Sequence, residues 1–469
     1  MCDLRMFTMI DLFFNIRTSN CRLMKNLIIP FIAFFMFCFS VSATHIKGGY
    51  IGIKEIRGNT VVFQFIGFRD VGSVVGFGAG IFRFGDGSSI ESNFDIQKEQ
   101  LDSNTEKVSY VVEHTYSGSG TYTAEYFEEY RSENIINLDK SFNKLFSTSL
   151  TFLLDPFLSN ALPKVNIDHL LTQQYSIGHK SEHALIANDQ NGDLLVFDLF
   201  DPKKYTYPLP NYVQPPIDMD RLTGSFLLDL SSVDNASDHS QILVVVAITE
   251  YRRINGVLQF LSRTVLDFNI ELSDHSESSC HPTINIDPIS CGSNQEEVSI
   301  EIIKGECEQG LLSFNFEGYV LENADPAIVS DQALLNDTIF TVYPENSTKS
   351  YQYGSVQYTD GEQSISQSLL LTDDCDSNED LVKLVTSEFV EEKFSLFPNP
   401  SNGVFKLSTT TSGTLRIISL NGKQILNQAV SNDVLSLDIS QTMEAGTYIA
   451  QYFDQQNRLI GIKRIVIIQ

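Results

Sequence analysis

The chain contains no tryptophan, which removes the side chain best suited to stacking on sugar rings. Tyr50, Tyr110 and Tyr122 are aromatic alternatives, although alternating Tyr and Phe more often build a sandwich core than a ligand face. Basic residues are scarce: 32 Lys and Arg stand against 59 Asp and Glu, a formal net charge of −27 over 469 residues. A surface of that sign repels nucleic acid and anionic membrane, and it attracts divalent cations. No Gly-x-Ser-x-Gly elbow occurs, and no cysteine sits in a thiol-protease context. The glycine-rich stretch 72–80 has neither P-loop nor dinucleotide-binding spacing, and no helix follows it. Catalysis has no positive support, and we expect no enzyme. The 59 acidic residues still leave room for chance carboxylate pairs of the glycosidase kind.

Long apolar runs are equally rare. One spans residues 24–43, with Lys25 at its positive end and Val41, Ser42 and Ala43 offering small residues to a peptidase. That is the layout of a signal peptide, with Met24 as the natural start and 1–23 as an upstream extension. No second run of that length follows, so no transmembrane span is expected in the mature chain. Three of the seven cysteines (Cys2, Cys21, Cys38) fall in this N-terminal part. Cys280, Cys291, Cys307 and Cys375 remain, an even set in an exported chain, and suggest two disulfides within one domain. Three pairings are open, and free buried thiols are the alternative.

What is abundant is β-forming residues: 33 Phe and 18 Tyr, with many Val, Ile and Thr clusters. The length points to three or four domains. Tyr50–Ile56 and Thr60–Phe68 read as a hairpin turning at Gly58 and Asn59. Phe84, Gly85, Asp86 and Gly87 read as strand, tight turn, strand, with Asp86 bonding nearby amides. Glu113–Tyr116 and Gly120–Tyr126 continue the pattern, and His45 and His114 read as structural. This order resembles a PKD immunoglobulin-like domain over 44–158, with Phe82 near the place of the usual Trp. The opening Thr44–Gly49 and the later Ile248–Arg252 resemble gliding-motility-associated surface proteins of Bacteroidetes.

Residues 159–274 carry an Asp-rich turn (Ala187–Asp193), an Asp218…Thr223-Gly224 turn and a closing strand from Ile242. The order resembles a cadherin-like fold of dystroglycan type. Residues 275–376 read as an Ig-like β-domain holding the four cysteines, and 377–393 as an acidic linker. In 394–469, Pro398, Asn399, Pro400 and Gly403 open a run of strands. The strands pass through the hairpin turn Asn421-Gly422, then Gly446 and Tyr448, to a basic-aliphatic tail at Lys463. These features resemble the type A C-terminal sorting domain of the Bacteroidetes type IX secretion system. The resemblance implies the type IX machinery as partner, and secretion or display on a Gram-negative surface.

Two constellations invite chemistry. Asp189, Asn191 and Asp193 place oxygen side chains on alternate residues, with Gly192 allowing the bend, so they can converge on calcium. The plain reading is an Asx-rich turn that forms without metal. His179, Glu182 and His183 match His-x-x-Glu-His, a zinc-peptidase pattern that needs a helix; the strand-rich surroundings favour a solvated inter-strand loop. The expected protein is all-β: tandem immunoglobulin-like β-sandwiches (PKD-like, cadherin-like, Ig-like) ending in a small sorting sandwich. Its expected work is adhesion, matrix assembly or gliding-associated contact with an unidentified surface protein or polysaccharide. The alternative is a secreted hydrolase with its catalytic unit in 160–376.

Overall fold

Alternation of apolar and polar residues dominates the chain from Ile46 onward, and the structure turns these runs into strands. The computed structural model describes residues 46–72, 77–91, 95–129, 131–155, 158, 160–233, 236–254, 257–274, 283–286, 289–291, 298–303, 311–315, 319–322, 338–344, 351–359, 364–372, 394–397, 401–409, 412–419, 423–431, 435–440, 444–455 and 459–467. Among them the fold is all-β, with one short α-helix and two single-turn 3₁₀ segments.

The first stretch supplies β1 (Ile46–Arg57), β2 (Thr60–Asp70), β3 (Ile81–Arg83), β4 (Ser89–Glu91), β5 (Gln97–Gln100), β6 (Thr105–Thr115), β7 (Gly120–Glu128) and β8 (Phe146–Leu154). Strand period two sends Phe63 and Phe65 of β2, Tyr110 of β6, Tyr122 and Tyr126 of β7 and Phe152 of β8 into one aromatic core. Phe82 lies in that core, its ring 5.3 Å from that of Phe63. The Phe84–Gly87 turn forms as the sequence suggests: Gly85 has φ +86°, and a Cβ there would sit 2.4 Å from the Thr123 carbonyl oxygen. Asp86 Oδ1 accepts the Ser88 N–H at 2.9 Å.

The second stretch adds β9 (Lys164–Asn166), α1 (Asp168–Leu171), β10 (Gln174–Ser176), β11 (Lys180–Ala184), β12 (Ile186–Asn188), β13 (Leu194–Leu199), β14 (Ile217–Met219), β15 (Ser225–Asp229), β16 (Gln241–Ile254) and β17 (Val257–Ser273). One edge of β17 pairs with β16 along its length. The other meets β8 at Ser262–Thr264, β1 at Asp267 and Phe268, and a parallel β10 at Glu271–Ser273. The boundary expected near residue 158 therefore divides the chain but not the sheet: both halves of the first sandwich join β17, within a 12-stranded sheet. The physical reason is length, because a 17-residue strand has edge enough for several neighbours.

β16 explains its own unbroken apolar run. Ile242, Val244, Val246 and Ile248 face the second core, while Leu243, Val245 and Ala247 face a smaller core capped by Tyr205, Leu209 and Tyr212. A strand covered on both faces needs no polar alternation. Arg131, from the segment between β7 and β8, reaches Asp267 of β17 with two nitrogens at 2.8 and 2.5 Å. Both side chains are 1 % exposed, and Arg131 Nε also donates to the Leu145 carbonyl.

The third stretch forms two four-stranded sheets. One is β18 (Thr283–Ile286), β20 (Val298–Ile303), β23 (Thr338–Pro344) and β22 (Tyr319–Glu322); the other is β19 (Ile289–Cys291), β25 (Ser364–Thr372), β24 (Tyr351–Thr359) and β21 (Leu311–Asn315). Tyr351, Tyr353 and Leu370 belong to the second core, and the Tyr353 hydroxyl accepts from Leu195 N at 2.7 Å and donates to Leu195 O at 3.1 Å. The second and third stretches are thus joined by packing and not merely by sequence.

The last stretch folds on its own core. One sheet is β26 (Phe394–Phe397), β27 (Val404–Thr409) and β30 (Leu435–Asp438). The other is β29 (Gln424–Val430), β28 (Gly413–Ser419), β31 (Gly446–Asp454) and β32 (Leu459–Ile467). Phe405, Leu407, Leu415, Ile417, Tyr452 and Ile465 meet between them.

Candidate metal centre

The Asp-rich turn leaves β12, bends at Gly192 (φ +76°) and enters β13. Asp189 Oδ1 accepts the backbone N–H of Asn191 at 2.9 Å and of Asp193 at 2.8 Å, which closes the loop as an Asx turn does. Asp193 gives both oxygens to Arg252 of β16, at 2.8 and 2.6 Å, and Arg252 also donates to Asn160 Oδ1 at 2.7 Å. β13 pairs with β16 so that Leu195 faces Glu250, which seats the turn beside that carboxylate.

Asp189, Asp193 and Glu250 converge: one carboxylate oxygen from each lies within 4.8 Å of the others. They are 1 %, 4 % and 0 % exposed. Glu250 Oε2 accepts from Ser262 Oγ at 2.5 Å, yet Oε1 of Glu250 and Oδ2 of Asp189 have no hydrogen-bond partner. Burial pushes the Glu250 carboxyl far up, and the nearby Asp189 charge adds to the push, while hydrogen bonding from Ser262 and Asn160 pulls the other way. Asp189 is raised too, first by burial and then by the Asp193 charge, while the amides of Asp193 and Asn191 pull the other way.

Of the three ligands expected from sequence, the structure brings Asp189 and Asp193 together and sends Asn191 elsewhere. Asn191 Oδ1 accepts the Ala161 N–H at 2.7 Å, which ties down the approach to β9. Glu250 takes its place, and alternate spacing within one turn does not reveal it. The available signal is parity along β16: Ile242, Val244, Val246 and Ile248 face the core, and the next position on that face is an acid.

The His-x-x-Glu-His match falls on and just before β11, a strand, so neither the helix of a zinc peptidase nor a solvated loop is present. His183 is buried, with Nε2 2.8 Å from Ser181 Oγ, whereas Glu182 is exposed and bonds Gln367. Burial pulls His183 down to about 3, helped by neighbouring His169, and burial takes His169 down to about 4. His114 lies flat on Phe84 at 4.1 Å, and its Nε2 is 2.7 Å from Asp86 Oδ2 and 3.5 Å from Ser88 Oγ. Acid and hydroxyl meet the same ring nitrogen, so no relay runs through the imidazole. Tyr50, Tyr110 and Tyr122 are all core residues.

Among the sorting residues, Gly403 is buried with φ +95°, and a Cβ there would come within 2.5 Å of Ser440 Cα. Gly446 opens β31, and the Tyr448 hydroxyl donates to the Glu444 carbonyl at 3.0 Å. Lys463 stands opposite Ala450 in the β31–β32 ladder. Pro398, Asn399 and Pro400 lie outside the described residues, as do His45, Cys280, Cys307 and Cys375; Cys291 ends β19.

Residues 395–468 match the family described as the secretion system C-terminal sorting domain. No curated protein matches the chain. Among solved structures, the chain aligns at 8 % identity with the N-terminal eight Ig domains of Down Syndrome Cell Adhesion Molecule, covering 90 % of this chain and 49 % of that one, with a TM-score of 0.14. It therefore spans about half the length of that structure. The BSP domain of a biofilm associated protein aligns at 9 % identity over 91 % of this chain and 97 % of that one, with a TM-score of 0.15. Trypsin-activated alpha-2-macroglobulin from Escherichia coli aligns at 11 % over 92 % and 31 %, with a TM-score of 0.16. At these TM-scores the alignments carry no argument. No described helix is long and apolar enough to cross a membrane. With its sorting tail at 395–468, the chain is a type IX secreted or cell-surface β-protein.

Proposed function

We propose that the exported product works by contact: as an adhesin, a surface-matrix component or a gliding-associated protein, with an unidentified surface protein or polysaccharide as its ligand. The observation that carries the reading is β17, which ties two stretches of chain into one 12-stranded sheet delivered by a separately cored sorting sandwich. Such a block is cross-linked by non-local strand pairing, and as proposed it is the rigid base of a contact surface. Its large aromatics are spent on the core, and edge strands such as β5 (Gln97–Gln100) are exposed and polar. Loops on a rigid scaffold are where recognition then resides.

The test compares cells making the full chain, cells making it without residues 394–469, and cells lacking it. Attachment and spreading on a surface are scored beside surface protease accessibility of the protein. Loss of attachment in both altered strains, with the truncated product trapped in the periplasm, supports the proposal. Equal attachment in all three overturns it, as does turnover of casein or glycan by the purified protein.

A further inference from the structure

We infer that Asp189, Asp193 and Glu250 form the protein half of a site for one hard divalent cation of the calcium class, with Glu250 as the anchoring ligand. The inference stands on the buried geometry and is independent of the contact function proposed above.

Charge is the first argument. Three carboxylates and one guanidinium, Arg252, are gathered where Asp189 and Glu250 are at most 1 % exposed. Ionised, the group carries two uncompensated negative charges, which an interior does not tolerate without a partner. Arg252 gives donors to both Asp193 oxygens and to Asn160 Oδ1, and one guanidinium cannot balance three ionised carboxylates.

Orphaned atoms are the second. Every other oxygen of the three acids has a donor: Asp189 Oδ1 has two amides, both Asp193 oxygens have Arg252, and Glu250 Oε2 has Ser262. The two oxygens without one, Asp189 Oδ2 and Glu250 Oε1, are on two of the three residues whose carboxylates converge. A buried acceptor left unmatched is costly, and a cation satisfies both at once.

Size and softness select the class. The donors are all oxygen, which favours calcium, magnesium or manganese over zinc or copper. Ligand atoms within 4.8 Å of one another fit around an ion held at about 2.4 Å, the distance calcium prefers. Calcium also accepts irregular ligand sets, and this set comes from a turn and a strand about sixty residues apart in the chain. The ion would clip the Asp189–Asp193 turn to β16. Through Asn160 and Asn191, which reach Arg252 and Ala161, it would also secure the segment entering β9.

The test begins with metal content, by mass spectrometry, of the full chain as isolated, then after exhaustive chelation and after return of calcium or magnesium chloride. Expected are about one equivalent of calcium, a Tm drop of about 5 °C or more on chelation, and recovery with calcium at lower concentration than with magnesium. Titration calorimetry of the chelated protein should show one saturable calcium site. Glu250→Gln, nearly the same shape, should weaken it at least tenfold, whereas Asn191→Ala should keep it. Absence of calcium as isolated, with no heat and no Tm response in the wild-type chain, overturns the inference and leaves Asp189 and Glu250 as acids sharing a proton. The wild-type measurements decide the matter even where a variant fails to fold. Unchanged binding in a folded Glu250→Gln protein overturns the ligand assignment as well.

Discussion

The block built around β17 and the sorting sandwich are both all-β, but they are held together differently. The block buries charge: Arg131 against Asp267, Glu128, Glu250 and Asp189 all lie inside it. In the sorting sandwich Ser401 is the one buried polar residue among those described, and the core is aliphatic and aromatic. Pairing differs as well. β28 pairs with β29, the next strand in the chain, whereas β1, besides its neighbour β2, is held by β17 from the far end of the block. Non-local pairing with buried ions specifies one arrangement at the cost of fragility, while local pairing with an apolar core tolerates change. A domain that must serve as an export tag for a larger passenger is better built in the second way.

The comparison is broken most directly at the buried ion pair. Arg131→Ala leaves Asp267 charged at 1 % exposure and should cost about 3–5 kcal/mol. In urea the block's transition should move while that of the sorting sandwich stays. The double variant Arg131→Met with Asp267→Leu should recover much of the loss, because removing both charges leaves none unpaired. Next is the reciprocal cut. Gly403→Ala forces a side chain into positive φ against Ser440 and should cost about 2–3 kcal/mol, confined to the sorting transition.

Acid should sharpen the contrast. His169 and His183 have folded values of about 4 and 3, below the ordinary 6.5. The stability that comes from keeping them neutral is fully present above pH 6.5 and is lost as pH falls through 6.5 toward those lower values. At pH 5 each contributes a loss of about 2 kcal/mol from the block, and none from the sorting sandwich. Buried carboxyls with raised values, Glu128 among them, act in the opposite sense. The measurement is therefore the pH-dependent difference between wild type and His183→Gln, which should be more acid-resistant. Smallest is Arg57→Ala: its bond to Glu113 is 2.7 Å long, but both side chains are more than half exposed, so about 0.5 kcal/mol or less is expected.

Legibility in the sequence follows the same divide. The strands of the sorting sandwich follow from alternation, and β28 pairs with β29, with Ser419 N donating to Lys423 O at 2.9 Å; Asn421 and Gly422 lie outside the described residues. The Phe84–Gly87 turn and the β1–β2 hairpin are legible for the same local reasons. Placement of β1 beside β17 is not, because no local pattern says which distant strand fills an edge. One of the three converging acids shares this fate: Asp189 and Asp193 are neighbours in the chain, but Glu250 joins them only through the β13–β16 register. The solvated loop expected at His179–His183 gives way to strand β11 with His183 buried, because a five-residue pattern carries no information about helix, strand or loop.

The position of β1 has a consequence for export. Asn269 of β17 donates to the Ile46 carbonyl across a separation of 223 residues. A polypeptide threaded through a channel N-terminus first presents β1 early, with half of its docking edge still on the other side. Until Asp267 and Phe268 are in place, Gly48 and Gly49 of β1 lack their β17 partners and that seam of the sheet stays open. The seam closes only when β17, more than two hundred residues later, has taken its place.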